Sequence, residues 1–450
     1  MFVGTCALSL AFSLITGSAA AISLDTTSQD SIKSVSKVLA SSVVAFYDET
    51  LKEDLVPGLF PEPFYWWEAG LAFNTLIEYY GLTNDSQFNA RISQALQHQL
   101  GELAAFMPQN QTSTLGNSDQ SFWGLASLSA HEVQLSAPAS GSWLEYAQNV
   151  FDVQAARWNT ESCDGGLKWQ IFTFNAGYNY KDSESNGQFF LLAARLADLT
   201  GNATYAEWAN KVYTWTNDIG LVSNFHVYDG TDDTKNCSQI NHIQWTSRHA
   251  EFTEGAALMY KFSNAAKNWT DIVTGFANSS SIFQGDNGAL TEKACERNSR
   301  CDIDQRAFKA IATRSFARAA LAAPIVADSL HAILTASAKG AAENCNDSSE
   351  GVACSLAWST SSNDDSEQKS AADGNLGEVL NALSAIQALL WPNASFPNAT
   401  VGSTGTTNNA TTSGNSSGST GAPESRGSGS TLAASITLVL AIAFATALSC

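Results

Sequence analysis

The chain has 450 residues and a formal net charge of −20 at pH 7, with 23 Lys and Arg against 43 Asp and Glu. Phosphate and anionic membrane surfaces are bound through a basic footprint, so this charge argues against nucleic acid as a partner. The same charge also favours simple solubility. A globular part of about residues 22–391 is large for one domain but compatible with a helical barrel.

The first 21 residues are an apolar run without an acidic residue, and they end in Gly17-Ser18-Ala19-Ala20-Ala21. This pattern predicts a secretory signal peptide over residues 1–21, although the usual basic segment is missing. A buried first helix is the alternative.

The C-terminus predicts a membrane anchor. Residues 392–430 are rich in Gly, Ser, Thr and Asn, and residues 431–450 are apolar or small without charge. A polar spacer followed by an apolar tail is typical of a GPI-attachment signal whose tail is removed. A true membrane span is the alternative, disfavoured because no basic residue follows it. We therefore expect a secreted protein at the cell surface, held by a GPI anchor in the plasma membrane or transferred to the cell wall.

Cysteines and glycosylation acceptors agree with export. Six cysteines remain between the predicted signal and tail, and an even number in a secreted chain indicates disulfides with 15 possible pairings. The short spacings of Cys295 with Cys301 and of Cys345 with Cys354 favour two local bridges, leaving Cys163 with Cys237. No cysteine or histidine cluster has metal-ligand spacing, so no metal is predicted. The Asn-x-Ser/Thr acceptors are expected at the surface and include Asn84, Asn110, Asn202, Asn236, Asn268, Asn278 and Asn346.

Helical periodicity dominates from the N-terminus onward. Six amphipathic stripes have apolar residues at three- and four-residue spacing; they run over residues 32–46, 88–103, 143–151, 205–219, 269–276 and 325–334. Between them lie six segments rich in Ala, Gly and aromatics, beginning near Trp66, Asp119, Asn186, Trp245, Asp304 and Asn375. Small residues on several faces suit helices that are packed on all sides.

The alternation repeats about every 50 to 70 residues, which is a signal at the level of the fold. Six outer and six inner helices predict an all-α fold, an (α/α)6 barrel, with an open helical solenoid as the alternative. The loops before the inner helices are long and aromatic, and long connections in compact folds are usually functional. We expect these loops to form a cleft at one end.

The composition of these loops favours a sugar-binding cleft, because ligand sites combine apolar walls with a few polar groups. The alternative is that the aromatic residues are core. The candidate substrate-binding residues are Trp66, Trp67, Glu68, Gln120, Trp123, Asn179, Tyr180, Asp229, His242, Gln244 and Trp245.

Several motifs together carry a family resemblance. They are Tyr65-Trp66-Trp67-Glu68-Ala69-Gly70, Asn117-Ser118-Asp119-Gln120-Ser121-Phe122-Trp123, Gly177-Tyr178-Asn179-Tyr180-Lys181, Ser185-Asn186-Gly187 and Asn241-His242-Ile243-Gln244-Trp245-Thr246, with residues 165–175 between them. From about Val38 to Trp391 the chain resembles glycoside hydrolase family 76, and within it the fungal, GPI-anchored, endo-α-1,6-mannanase-like cell-wall proteins. The resemblance implies an (α/α)6 barrel and cleavage of α-1,6-linked mannose with retention. It further implies transfer of GPI-anchored proteins from their anchor glycan onto wall glucan, without a cofactor.

The resemblance also locates the chemistry. The family motif is Asn-Asp-Asp-Gln, with the first aspartate as nucleophile and the second as acid/base, so Ser118 takes the nucleophile's place and Asp119 the acid/base's. A retaining glycosidase uses two carboxyls about 5–5.5 Å apart, and serine carries no charge for this role. Both residues are also good helix N-caps. Two functions follow: a mannosidase or transglycosidase with weakened chemistry, or a glycan-binding relative that has lost the reaction.

Overall fold

The structure is a computed structural model that describes residues 20–52, 56–348, 351–359, 369–370 and 375–394. By internal contacts the chain divides into residues 1–403, which contain every described residue, and residues 404–450. The predicted signal peptide up to residue 19, nearly all of the predicted linker and the whole apolar tail lie outside the described residues.

Six buried helices form a closed ring. They are α2 (Trp66–Thr83), α4 (Asn117–Glu132), α6 (Ser183–Thr200), α8 (Thr246–Phe262), α10 (Phe308–Ala322) and α12 (Leu376–Gln387). Each packs against the next, and α12 packs against α2. All six begin within four residues of the starts that the sequence predicts, because runs of Ala, Gly and aromatics mark helices with no solvent-facing side.

Six further helices pack on the outside of this ring. They are α1 (Gln29–Lys52), α3 (Asn89–His98), α5 (Trp143–Ala156), α7 (Ala203–Asp218), α9 (Lys267–Ser279) and α11 (Ala327–Glu343). Two ends of the predicted stripes are wrong. Leu103 follows α3 and is 60% exposed, and Ile325 lies in a 3-10 turn before α11 and is 52% exposed. An apolar residue beyond the end of a helix can match the helical period by chance without being part of the helix.

Nine short strands accompany the helices among the described residues. They are β1 (Ala20–Ala21), β2 (Tyr180–Asp182), β3 (Val222–Ser223), β4 (His226–Val227), β5 (Gly230–Asp232), β6 (Ile240–Asn241), β7 (Cys345–Ser348), β8 (Gly351–Cys354) and β9 (Lys369–Ser370). They form antiparallel sheets in the orders β1-β7-β8-β9, β2-β5-β6 and β3-β4. Strands of two to four residues are too short to show an alternating pattern, so the sequence did not reveal them.

Three disulfides link the cysteines as the short spacings suggested. Cys295 pairs with Cys301, Cys345 with Cys354 and Cys163 with Cys237. The last bridge spans 74 residues and joins the loop before α6 to the loop that carries β5 and β6. It therefore ties together two of the segments that precede inner helices.

The predicted glycosylation sites lie at accessible positions. Of the seven, Asn346 is half-buried and the other six are exposed. Within the described residues, no single helix is long and apolar enough to cross a membrane. The bent pair Gln305–Ala322 and Pro324–Glu343 meets the length and composition test together, at an angle of 119°.

Ion pairs cross the interior of the ring. Arg318 of α10 donates to Glu78 of α2, Glu132 of α4 and Glu254 of α8, at 2.7–3.2 Å. Arg195 of α6 donates to Glu132 at 2.9 Å. This axial ion cluster, formed by Glu78, Glu132, Arg195, Glu254 and Arg318, connects five of the six inner helices. Its residues lie in the middle or at the C-terminal end of their helices, away from the helix N-termini.

Candidate active site

A cavity of about 500 Å³ opens where the inner helices begin. It is lined by residues that precede or open four of them: Trp66 and Trp67 of α2, Asp119 of α4, Asp182 and Glu184 of α6, and Trp245 and Arg248 of α8. Asp304 and Phe308, at the start of α10, also line the cavity. The predicted cleft before the inner helices is therefore present in the structure.

Asp119 lies at the third position of α4 and lines the cavity. Its Oδ2 accepts a hydrogen bond from the backbone N–H of Gly116 at 2.7 Å. Burial raises the pKa of Asp119 to about 7; the Gly116 N–H opposes the rise, and the charges of Glu184 and Asp304 add to it. A carboxyl that exchanges its proton near neutral pH is suited to general acid/base catalysis.

Ser118 precedes Asp119 but does not share its position. It is 1% exposed and is not among the residues that line the cavity. Successive helix residues are rotated by about 100° about the axis, so neighbours point in different directions. The expectation that Ser118 could cap α4 is wrong, because Gly116 is the N-cap and the capping acceptor is Asp119.

The cavity is strongly acidic. Five carboxylates line it, and among its described lining residues Arg248 is the one basic side chain. Arg248 donates to Glu184 Oε2 at 3.2 Å, and its guanidinium lies 4.2 Å from the centre of the Phe308 ring. Positive charge that develops on a bound ligand would therefore be stabilised here.

Two of the acids hold the aromatic wall in place. Asp229 accepts hydrogen bonds from Tyr180 Oη and from Trp245 Nε1, both at 2.8 Å, and from Asn241 at 3.0 Å. Asp304 accepts from Trp67 Nε1 at 2.8 Å. Because both indole N–H groups are bound to carboxylates, the rings have fixed orientations.

The structure brings Trp66, Trp67, Asp119, Tyr180, Asp229 and Trp245 together from the predicted set. Three other predicted residues lie behind this wall and support it. Trp123 is fully buried, stacks on Trp66 at 5.3 Å and donates to the Trp66 carbonyl. Gln120 donates to the carbonyl of Ala105, and Glu68 accepts from the backbone N–H of Tyr65. Burial raises the pKa of Glu68 well above its ordinary value.

Asn179, His242 and Gln244 lie outside the cavity. The His242 ring packs edge-on against Tyr228, and Gln244 hydrogen-bonds to His226. Asn179 is exposed beside Lys168. Each contacts a neighbour in the surrounding loops, and a role of these three residues in substrate binding stays a prediction.

Sequence reasoning missed Asp182, Glu184 and Arg248, and it used Asp304 only as a helix start. Each lies within four residues of the beginning of an inner helix. That position was the available signal, since the N-termini of the ring helices converge on the cavity. Within the described ranges, no group of three or more His, Cys, Asp or Glu side chains is placed to hold a metal ion.

A ring of buried helices with an acidic, aromatic-walled cavity at its N-terminal end is the arrangement expected of a carbohydrate-active protein. The chain matches Glycosyl hydrolase family 76 over residues 31–400. It therefore belongs to this family, as its motifs indicated.

Relatives of known name support this assignment. The chain is 39% identical to mannan endo-1,6-alpha-mannosidase DCW1 of Eremothecium gossypii over 384 residues, covering 84% of this chain and 83% of the relative. It is 37% identical to mannan endo-1,6-alpha-mannosidase DFG5 of Saccharomyces cerevisiae over 377 residues, covering 82% and 80% of the two chains.

Solved structures agree with the fold. Dfg5 of Chaetomium thermophilum, in complex with glucosamine, superposes with a TM-score of 0.76 at 32% identity, covering 83% of this chain and 93% of that one. An inactive variant of an α-1,6-mannanase of Salegentibacter sp., with two consecutive aspartates replaced and α-1,6-mannotriose bound, gives a TM-score of 0.62 at 20% identity. That comparison covers 80% of this chain and 99% of the other.

Proposed function

We propose that the chain is a mannan endo-1,6-α-mannosidase-like glycosidase or transglycosidase that acts on α-1,6-linked mannose. The observation that carries this proposal is Asp119, a carboxyl with a pKa of about 7 in an aromatic-walled cavity. The names of the relatives supply the substrate class. The ring of six helices with six helices outside it supports an (α/α)6 barrel as the scaffold.

The cavity suits a sugar in two respects. Trp169 and Tyr65 line it and are 37% and 51% exposed, so their flat faces are available to the apolar C–H face of a pyranose. Carboxylates and the amides of Gln170 and Asn175, which also line it, are acceptors and donors for the hydroxyl rim.

In the proposed reaction, Asp119 donates its proton to the glycosidic oxygen as the bond to the anomeric carbon breaks. The cavity's carboxylates stabilise the positive charge that develops on the sugar. Asp119 then takes a proton from the incoming water, or from an acceptor hydroxyl in a transfer reaction. One residue serves in both half-reactions because each step restores its protonation state for the next.

The source of the substrate is a further proposal. The predicted GPI anchor would place the cavity at the cell surface, close to other anchored proteins and to the wall. A GPI-anchor glycan is then the mannose donor and wall glucan the acceptor. The Chaetomium relative was solved with glucosamine bound, which supports an amino sugar near the mannose that is cleaved.

A second candidate function is a glycan-binding protein without turnover. It is favoured by Ser118, which is uncharged and lies off the cavity wall. In this case the aromatic wall and the acids bind the sugar, and the bond is not cleaved.

The test uses the purified secreted protein with α-1,6-mannooligosaccharides, as wild type and as Ser118→Asp. We expect slow release of products by the wild type and faster release by the variant, because the longer, charged aspartate side chain would reach toward the cavity that Ser118 does not line. Turnover by the wild type at the rate of a two-aspartate relative would contradict the effect assigned to Ser118. Binding without cleavage by both proteins would establish the second function.

A further inference from the structure

We propose that Glu184 provides the carboxylate that attacks the anomeric carbon in this chain, in place of the aspartate that position 118 lacks. This inference rests on the proposed glycosidase function. It assigns the nucleophile to α6, the ring helix next to α4, while the proton donor Asp119 stays on α4.

Glu184 lies on the same cavity as Asp119. It is the second residue of α6, its side chain is 14% exposed, and it lines the cavity. Asp119 lines the same cavity from α4, the ring helix that packs against α6. The pair therefore meets the first requirement of a glycosidase, two carboxyls facing one space.

Arg248 and the start of α6 stabilise a negative charge on Glu184, against the effect of burial. Arg248 donates to Oε2 at 3.2 Å, and the N-terminal turn of a helix attracts negative charge. Burial raises the pKa of Glu184 and the charges of Asp304 and Asp229 add to the rise, whereas Arg248 opposes it. Among the described residues no group donates to Oε1, so this oxygen is available to a substrate.

The other carboxylates of the cavity are engaged differently. Asp229 binds three donors through both oxygens. Asp182 caps α6 through the backbone N–H of Ser185. Asp304 accepts from Trp67 and forms no ion pair within the described part of the chain, so it is the rival that the experiment must exclude.

The proposed step balances with these two groups alone. A Glu184 oxygen forms a bond to the anomeric carbon, the glycosidic C–O bond breaks, and its electron pair takes the proton of Asp119. A glycosyl ester on Glu184 and a free sugar hydroxyl result. Water or an acceptor hydroxyl then attacks the same carbon, Asp119 recovers a proton, and Glu184 leaves as a carboxylate. Two inversions give net retention.

The first test traps the ester on the wild-type protein. A fluorinated mannosyl fluoride forms such an ester and hydrolyses slowly, so digestion and mass spectrometry locate the modified peptide. We expect the mass increase on the peptide with Glu184. A label on Asp304 or Asp119 would overturn the assignment. A wild type that binds α-1,6-mannotriose but neither cleaves it nor takes the label would overturn the glycosidase proposal as well.

The second test compares Glu184→Gln in two backgrounds. The amide oxygen still accepts from Arg248, so the fold is expected to persist, with Asp304→Asn as the matched cavity variant. In the wild-type background we expect Glu184→Gln to lower kcat by about 10⁴-fold or more with α-1,6-mannotriose binding retained. In a Ser118→Asp background the loss should shrink to about tenfold or less.

The two backgrounds separate a nucleophile from a positioning residue. Equal losses in both would show that Glu184 acts through Arg248 or the cavity wall, which would overturn the proposal. An active wild type whose Glu184→Gln variant is equally active would overturn this inference and leave the proposed function intact.

Discussion

The two ends of the helical ring bury charge in opposite ways. In the axial ion cluster, Arg195 and Arg318 contact Glu132 together, and Arg318 also reaches Glu78 and Glu254. In the cavity, five carboxylates share one guanidinium, that of Arg248. Asp119 and Glu184 lie on α4 and α6, the helices that also carry Glu132 and Arg195, so for these residues the difference comes from the partners and not from the scaffold.

The pKa values show what this difference does. Burial would raise the pKa of Glu132, but Arg195 and Arg318 outweigh it and lower the value to about 2. Burial likewise raises the pKa of Asp119, and with acids as its neighbours the value reaches about 7. Glu132, paired with two arginines, remains ionised and connects helices, whereas Asp119, with acids as its charged neighbours, holds an exchangeable proton. The chemistry of the protein is therefore expected where cations are missing.

The largest effect is expected from removing the cation of the cluster. Arg318→Met leaves the carboxylates of Glu78, Glu132 and Glu254 without their shared partner, and breaking a buried pair costs about 3–5 kcal/mol. Thermal and denaturant unfolding measure the loss. Lys261→Met is the control, since Lys261 is half-exposed in its pair with Asp198 and should contribute no more than about 1 kcal/mol. Similar losses of stability in both variants would show that a buried ion pair of the cluster contributes no more to stability than a half-exposed one.

In the cavity, by contrast, the expected loss is in catalytic activity and not in stability. Asp119→Asn removes the proton donor and is expected to lower kcat/KM by about 10²–10⁴-fold. The amide oxygen can still accept from Gly116, so α4 keeps its cap. In the wild type, kcat/KM should fall as pH rises through about 7, when Asp119 loses its proton. Exposed Glu145, at the same helical position of α5, provides the control: Glu145→Gln should leave activity unchanged.

The stability of the same variant tests the sign of the pKa shift. Because the folded state holds the Asp119 proton more tightly than the unfolded state, the wild type loses stability as pH rises from about 4 to 7. The Asn variant has no such proton to lose. Its unfolding temperature relative to wild type should therefore increase over this range, and a constant difference would contradict the raised pKa.

The helices of the ring were predictable because their packing leaves a composition signal. Runs such as Gly187 to Ala194 are apolar on nearly every face, and this composition distinguishes the inner helices from the amphipathic outer ones. The two short disulfides were predictable from their spacing, and the Cys163–Cys237 bridge followed as the remaining pair. The two mistaken stripe ends, at Leu103 and Ile325, show the limit, since periodicity does not mark where a helix stops.

The sequence predicted which loops form the cavity but not which of their side chains face it. Trp66 and Trp123 both belong to aromatic-rich segments at inner helices, yet Trp123 is buried behind Trp66. Which side of a helix start faces the axis depends on its rotation within the ring, and a single sequence does not fix that rotation. Arg248 was missed for a related reason: its role depends on Glu184, which lies 64 residues away in the chain.

The smallest effect is expected at Glu251 of α8, whose pKa is influenced by Glu184 and Arg248 of the cavity. Glu251 is buried and accepts from Gln188 at 3.1 Å. Burial raises its pKa to about 8, the charge of Glu184 adds to the rise, and Arg314 and Arg248 oppose it. Glu251→Gln keeps the acceptor, so we expect a stability change within about 1 kcal/mol at pH 5, where the folded wild type is already neutral at this site.

A pH series distinguishes Glu251 from Glu132. The folded wild type holds the Glu251 proton above its unfolded pKa, so wild-type stability falls as pH rises toward 8, and the advantage of Glu251→Gln should grow over that interval. Glu132→Gln should behave in the opposite way. It removes an ionised partner of two arginines and should cost about 3–5 kcal/mol at neutral pH. If the stability difference from wild type changed with pH in the same way for both variants, arginine partners would not explain why Glu132 is ionised and Glu251 protonated.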